Sequence, residues 1–290
     1  MAESNVAPDL PPLLAAAELR RMDATRGLLI VDCRHDLPRP AWGATVYAEG
    51  HLPGAVFAAL DRELSGPIRP GTGRHPLPDP SDFARTLGRW GLAADTRVVA
   101  YDQGPGAYAA RLWWMLRSIG HRRVQVLDGG LQAWTDAGGA LSKDVPAVAP
   151  TAVPVRGFTG VMETTRLQDA LAAGSVTLVD ARGADRFAGQ NETIDPVAGH
   201  VPGALNHPYS GNLSPDGRTF LPSAELAQRW QNELLAARRA PIVAMCGSGV
   251  TACHNLLALE LAGYRGGQLY AGSFSEWIAD PRRPVATGVP

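Results

Sequence analysis

Residues Ile242–Gly263 read IVAMCGSGVTACHNLLALELAG: a short apolar run, a cysteine, a glycine-rich loop and an apolar segment long enough for a helix. The pattern predicts a buried strand that ends at Cys246 and a helix that begins a few residues later. In that geometry loop amides turn toward the sulfur, and the helix N-terminus adds partial positive charge. Both effects favour the thiolate, so the stretch predicts a nucleophilic Cys246 rather than a buried structural cysteine.

The same arrangement occurs twice along the chain. Four landmarks recur in one order: an apolar run ending in Asp-x-Arg (Leu28–Arg34, Val176–Arg182), a His-x-Pro-Gly-Ala box (His51–Ala55, His200–Ala204), a strand–loop–helix unit (Val98–His121, Ile242–Tyr264) and a glycine five residues before a tryptophan (Gly129 and Trp134, Gly272 and Trp277). The repeat is about 145 residues, which is the size of a domain rather than of a solenoid unit.

We therefore predict two homologous domains, at residues 13–142 and 161–290, joined by a Pro-rich linker at residues 143–160. Strand and helix patterns alternate, which predicts an α/β fold with a parallel sheet flanked by helices on both faces in each domain. Helical patterns cover Leu13–Met22, Asp82–Trp90, Tyr108–Ile119, Thr164–Ala173, Ser223–Leu235 and Thr251–Leu261. Strand patterns cover Leu28–Val31, Val98–Tyr101, Val124–Leu127, Thr177–Val179, Ile242–Met245 and Gln268–Tyr270.

The two loops differ at the position that matters for chemistry. Alignment places Asp102 where the second domain has Cys246, so the first domain lacks the nucleophile. We expect Asp102 to accept backbone N–H groups of its own loop. The first domain then contributes a wall of the cleft, because ligand sites favour domain interfaces.

Composition excludes several classes of function. The 290 residues are 45% hydrophobic and 19% charged with a net charge of −1, which predicts no binding to nucleic acid or to an anionic membrane. Three cysteines and an N-terminus without a basic signal region favour a reducing, cytoplasmic location. No Cys/His spacing is typical of a metal site, and no dinucleotide fingerprint follows a strand, so we predict no metal and no cofactor.

On these residues the chain resembles the two-domain rhodanese-type sulfurtransferases, from about Leu13 to Trp277. The resemblance implies a persulfide on Cys246 and transfer of its outer sulfur to a thiol acceptor, such as thioredoxin or a small thiol, or to cyanide. The Gly-Ser-Gly after the cysteine is similar to the branch that uses 3-mercaptopyruvate and releases pyruvate. Two alternatives stay open: a thiosulfate:cyanide sulfurtransferase, and a non-catalytic binding module on the same fold.

Two arginines follow the strand of the second domain. Arg182 has a counterpart at Arg34 in the domain without the cysteine, so we predict a structural ion pair with Asp180. Arg186 has no counterpart, and by resemblance it binds the donor's anionic group. Many mercaptopyruvate enzymes carry a second arginine seven residues before the His-x-Pro-Gly box. This chain has Thr193 there, so another group must supply that contact.

By resemblance, Asp61 and His75 of the first domain form a proton relay with Ser248. Three structural alternatives stay open: Asp61 caps a helix, His75 is a surface residue, and Ser248 caps the helix that follows the loop. Together with Arg186, the residues predicted to bind the substrate are Gly247, Gly249, Val250 and Thr251.

Overall fold

The computed structural model describes residues 9–22, 27–235 and 241–288. Within these ranges the first domain contains a sheet of five parallel strands in the order β1-β5-β4-β2-β3. The strands are β1 (Leu13–Leu14), β2 (Leu28–Asp32), β3 (Val56–Phe57), β4 (Arg97–Tyr101) and β5 (Val124–Leu127). The helices around it are α1 (Ala16–Leu19), α2 (Trp42–Glu49), α3 (Pro80–Arg89), α4 (Ala109–Ser118) and α5 (Gly130–Asp136).

The second domain repeats the plan with four parallel strands in the order β7-β6-β8-β9. The strands are β6 (Thr177–Asp180), β7 (Leu205–Asn206), β8 (Ile242–Met245) and β9 (Gln268–Leu269). The helices are α6 (Thr164–Ala172), α7 (Ala184–Phe187), α8 (Ser223–Leu235), α9 (Thr251–Leu261) and α10 (Ser273–Trp277), with a 3₁₀ turn at Tyr209–Asn212. The predicted α/β class with parallel sheets is confirmed.

Alternation along each strand sends side chains to two different cores. In β4, Val98 and Ala100 join a core that α4 covers, whereas Val99 and Tyr101 face a separate core that includes Leu14. A parallel sheet buried on both faces requires such continuous apolar strands. This is why the segments for which the sequence predicts strands are apolar.

The two domains share one core. Residues of β4 and β5 and residues of β8 and β9 belong to the same apolar cluster, which includes Trp113 and Trp114 of α4 and Leu256 and Leu257 of α9. Helices α4 and α9, which are the equivalent helices of the two repeats, pack directly against each other. The loops that precede them, one with Asp102 and one with Cys246, therefore lie at a common interface.

One predicted helix is wrong. The pattern at Leu13–Met22 predicted a helix throughout, but Leu13 and Leu14 form β1 beside β5, and the helix covers only Ala16–Leu19. The amide of Val126 donates to Pro12 O, and the amide of Asp128 donates to Leu14 O. This short segment therefore provides hydrogen-bond acceptors for the backbone amides at the outer edge of β5. The other predicted helices and the predicted strands are present, to within a few residues at their ends.

The predicted linker lies along the first domain. Thr151 donates from its hydroxyl to Leu92 O, and Thr159 donates from its hydroxyl to Ser118 O, before Val161 bridges to Leu269 of the second sheet. The domain limits proposed from the sequence stay a prediction, and the range 161–290 includes residues 236–240 and 289–290, which lie outside the described ones. Among the helices described, none is both long and apolar enough to span a bilayer.

Candidate active site

Cys246 lies directly after β8, at the carboxyl end of the second sheet. Its sulfur accepts hydrogen bonds from the amides of Ser248 at 3.4 Å and Gly249 at 3.1 Å, and only 3% of the residue is exposed. Gly249 has a φ of +77°, and a Cβ there would overlap the carbonyl oxygen of Ala271. Only glycine fits both constraints. The Gly-rich loop thus turns back beneath the sulfur before α9 begins at Thr251.

The first domain fills the equivalent loop with a carboxylate. Asp102 is fully buried, and its two oxygens accept hydrogen bonds from four backbone amides, those of Gly104, Gly106, Tyr108 and Ala109, at 2.9 to 3.3 Å. The prediction that Asp102 satisfies its own loop is confirmed. Burial raises the pKa of Asp102, and the amide hydrogen bonds act in the opposite direction.

A chain of side chains runs from the first domain to the loop that follows Cys246. His75 Nδ1 lies 2.7 Å from Ser248 Oγ, and His75 Nε2 lies 3.2 Å from Asp61 Oδ1. An ionised carboxylate only accepts, so Nε2 carries the imidazole proton and Nδ1 accepts from the Ser248 hydroxyl. The structure thus brings Asp61, His75 and Ser248 together. His75 is buried rather than on the surface, and Val250, at the N-cap position of α9, receives no side-chain cap.

Burial decides the charge of His75. It lowers the pKa of His75 from 6.5 to about 4, with Arg111 and Arg74 acting in the same direction and Asp61 opposing them. His75 is therefore neutral at neutral pH. A neutral ring is the form that accepts the Ser248 proton while it donates to Asp61.

Arg111 is a residue that the sequence analysis missed. It lies on α4, is fully buried, and donates to Gly249 O at 3.0 Å, His75 O at 3.0 Å and Leu64 O at 3.3 Å. Within the described residues it has no carboxylate partner. Its guanidinium joins the segment that carries His75 to the loop that follows Cys246, across the domain interface. The available signal was a lone cation in the apolar run ARLWWML.

A cavity of about 250 Å³ lies over Cys246 between the domains. Its wall from the first domain includes Leu37, Arg74, Gln103, Pro105, Ala107 and Tyr108. Its wall from the second domain includes Arg182, Arg186, Ile194, Tyr209, Gly247, Ser248, Val250 and Thr251. Four of the residues predicted to bind substrate, Arg186, Gly247, Val250 and Thr251, therefore line one cavity. Gly249, His75 and Asp61 lie outside this lining.

The two arginines of the second domain are held differently. Arg182 makes the predicted ion pair, with its Nη2 2.7 Å from Asp180 Oδ2, and its guanidinium lies 4.0 Å from the centre of the Phe274 ring. Arg186 is partly exposed in the cavity wall and pairs with Glu192 at 2.9 Å and Asp195 at 3.1 Å. Arg182 thus stabilises the strand end, whereas Arg186 presents its guanidinium to the cavity. Across the described ranges, no group of His, Cys, Asp or Glu could hold a metal ion.

Comparison with known proteins agrees with this geometry. A family profile described as the rhodanese-like domain matches residues 15–137 and 163–280. The chain belongs to the rhodanese-like family. A Pseudomonas aeruginosa protein named probable 3-mercaptopyruvate sulfurtransferase is 51% identical over 95% of this chain and 98% of its own length. The thiosulfate sulfurtransferase of Gallus gallus is 33% identical over 87% of this chain and 86% of its own length.

The tandem arrangement also matches a solved rhodanese-like structure. The 3-mercaptopyruvate sulfurtransferase from Leishmania major superimposes with a TM-score of 0.77 at 30% identity, over 96% of this chain and 77% of that one. These relatives are sulfurtransferases, and the rhodanese-like protein described here is a two-domain sulfurtransferase.

Proposed function

We propose that this sulfurtransferase takes sulfur from 3-mercaptopyruvate, holds it as a persulfide on Cys246 and passes it to a thiol or to cyanide. The observation that carries the proposal is the 2.7 Å contact between His75 and Ser248 beside Cys246. Cleavage of thiosulfate releases sulfite, and no proton has to move. Cleavage of 3-mercaptopyruvate moves a proton from sulfur to carbon, and a relay through buried Ser248 and His75 beside the nucleophile serves that need.

The first half of the reaction forms one bond and breaks one. The Cys246 thiolate attacks the thiol sulfur of the donor, the S–S bond forms, and the C–S bond breaks with its electron pair left on carbon as the enolate of pyruvate. The thiol proton ends on that carbon, which becomes the methyl group. The products are the persulfide anion and pyruvate, with no change in total charge.

Ser248 and His75 handle the proton. The Ser248 hydroxyl lies in the cavity wall and donates to His75, so its oxygen is able to accept the hydrogen of the donor thiol. The proton passes through Ser248 to His75, where Asp61 stabilises the imidazolium. Burial makes that imidazolium a strong acid, with a pKa of about 4, so it returns the proton to the enolate carbon.

The second half regenerates the thiolate. An acceptor thiolate or cyanide attacks the outer sulfur, and Cys246 leaves with the electron pair of the S–S bond. Cyanide gives thiocyanate, and a thiol gives an acceptor persulfide. The identity of the acceptor (thioredoxin, a small thiol or cyanide) and the cytoplasmic location stay predictions from the sequence.

A thiosulfate sulfurtransferase is the second candidate. Arg74 and Arg186 both line the cavity, and two cations suit a dianion as well as a carboxylate. The neutral loop Gly247-Ser248-Gly249 favours the first candidate, because it places no cation of its own beside the reacting sulfur. A purely non-catalytic role conflicts with the intact Cys246 loop.

The test compares kcat/KM for 3-mercaptopyruvate and thiosulfate with cyanide as the common acceptor. We expect a higher value for 3-mercaptopyruvate, and one added sulfur by mass spectrometry on the peptide that contains Cys246. Cys246→Ser should lose both the adduct and turnover. Cys33→Ala, which changes a buried cysteine of the first domain, should keep both. A higher kcat/KM for thiosulfate would favour the second candidate.

A further inference from the structure

Thr193 is exposed and neutral, so this position supplies no second cation to the donor site. We propose that Arg74, which belongs to the first domain, supplies the second cation and binds the donor's carboxylate together with Arg186 across the domain interface. The inference rests on the proposed donor. It makes donor recognition a property of both domains, although only the second carries the nucleophile.

The position of Arg74 is fixed by its neighbours. It directly precedes His75, which contacts Ser248, and its own backbone amide donates to Ser275 Oγ at 3.0 Å. A Cβ on Gly73 would overlap the carbonyl oxygen of Gly272, so the two backbones touch here. The segment is thus held against the second domain on both sides of Arg74.

The guanidinium of Arg74 converges with that of Arg186 on one point. A Cβ built on Gly247 would lie 2.9 Å from Arg74 Nη2 and 3.6 Å from Arg186 Nη2. Gly247 directly follows Cys246, so both cations reach the space beside the reacting sulfur. Arg74 pairs with Asp195 through Nη1, and its Nη2 is the nitrogen that approaches this point. Arg74 therefore turns an N–H donor toward the cavity in which the carboxylate would bind.

Asp195 holds the two cations together. Its Oδ1 pairs with Arg74 and its Oδ2 lies 3.1 Å from Arg186, while only 1% of its side chain is exposed. Asp195 lies two residues after Thr193. The segment that carries Thr193 thus provides a carboxylate that pairs with both Arg74 and Arg186.

Charge balance then sets the strength of donor binding. Three arginines (Arg74, Arg182, Arg186) lie against three carboxylates (Asp180, Glu192, Asp195). The cluster is neutral before 3-mercaptopyruvate binds. The carboxylate of the substrate therefore competes with Asp195 for the guanidinium groups of Arg74 and Arg186. We expect a high KM for the wild type and a lower KM in Asp195→Asn.

The decisive variant is Arg74→Gln, with Arg69→Gln as the matched control on an exposed arginine of the same loop. Loss of a charge-assisted contact should raise KM for 3-mercaptopyruvate about tenfold to a hundredfold. We expect kcat to change little, since Arg74 binds the unreacting end of the donor. Arg69→Gln should behave as wild type. An unchanged KM in a folded Arg74→Gln protein overturns the proposal.

Two further measurements separate possible failures. The wild type and Arg74→Gln are also assayed with thiosulfate. A wild type that prefers thiosulfate contradicts the proposed donor. The ratio of KM for thiosulfate between Arg74→Gln and the wild type still tests Arg74 as an anion-binding residue. If Arg74→Gln lowers the melting temperature, the double variant Arg74→Gln/Asp195→Asn decides, because it removes the carboxylate that the single variant leaves without Arg74. We expect its KM to exceed that of Asp195→Asn by about tenfold or more, and a KM no higher than that of Asp195→Asn contradicts the inference.

Discussion

His75 Nδ1 and Ser248 Oγ lie 2.7 Å apart although 173 positions separate the two residues along the chain. Each comes from a different domain, and the packing of α4 against α9 brings the two domains together. Arg111 strengthens this contact, because it binds the backbone carbonyls of His75 and Gly249 at once. The first domain has Asp102 where the second has Cys246, but it holds the histidine that contacts the hydroxyl beside Cys246.

The relay predicts non-additive losses. Ser248→Ala and His75→Gln should each lower kcat/KM for 3-mercaptopyruvate about a hundredfold or more, because the proton loses its path from sulfur to carbon. The double variant should lose no more than the worse single variant, since the two residues act as one unit. Turnover of thiosulfate should fall much less. Steady-state kinetics with both donors checks this, and losses that multiply in the double variant contradict a common path.

Acid should destabilise the folded protein through His75. The pKa of this histidine is about 4 when folded and 6.5 when unfolded, so the unfolded chain binds more protons between these values. The free energy of unfolding should therefore fall as the pH falls through this window, with a contribution from this residue of at most about 1.4 kcal/mol per pH unit. His254, whose pKa burial lowers to about 3, acts in the same direction.

Urea unfolding at pH 6.5 and pH 5.5 measures that slope. His75→Gln should remove its share, so the pH dependence of the variant should be shallower by about 1 kcal/mol over this interval, in which the unfolded histidine goes from half to almost fully protonated. Equal slopes in wild type and variant would show that His75 titrates normally in the folded state.

The repeated Asp-x-Arg motif provides a matched pair of variants. Arg34 Nη2 lies 2.7 Å from Asp32 Oδ2, and Arg182 Nη2 lies 2.7 Å from Asp180 Oδ2, both almost fully buried. Removal of either arginine leaves a buried carboxylate without its partner, which typically costs about 3–5 kcal/mol. We expect Arg34→Ala and Arg182→Ala to lower the free energy of unfolding by similar amounts.

Arg186→Ala should show the opposite profile. Its partners Glu192 and Asp195 are buried but keep Arg182 and Arg74 as second cations, so stability should fall less than in Arg182→Ala. The value of kcat/KM for the donor should fall about tenfold to a hundredfold. Thermal unfolding and donor kinetics on the three alanine variants separate the two roles. A loss of stability in Arg186→Ala as large as that in Arg182→Ala would contradict the division.

The sequence predicted the features of the site that depend on residues close together along the chain. Cys246, its loop and the Asp-x-Arg pairs depend on residues within a few positions of one another, and the duplicated pattern made them visible. Arg74 and Arg111 were missed because their partners lie in the other domain, at Asp195 and Gly249. Strand β1 was missed because two residues carry no measurable period, and its pairing with β5 is a tertiary contact.

The two glycines of the loop are expected to differ in their tolerance of a methyl group. At Gly249 a Cβ would meet the backbone oxygen of Ala271, and the φ of +77° adds strain, so Gly249→Ala should disrupt the amide cradle of Cys246. At Gly247 the nearest atom is Arg74 Nη2 at 2.9 Å, the far end of a flexible side chain that is able to shift. Gly247→Ala should therefore keep the melting temperature and raise KM, whereas Gly249→Ala should lower both the melting temperature and kcat. Equal melting temperatures in the two variants would mean that the loop relaxes around Gly249, and the cradle would then not depend on its left-handed backbone.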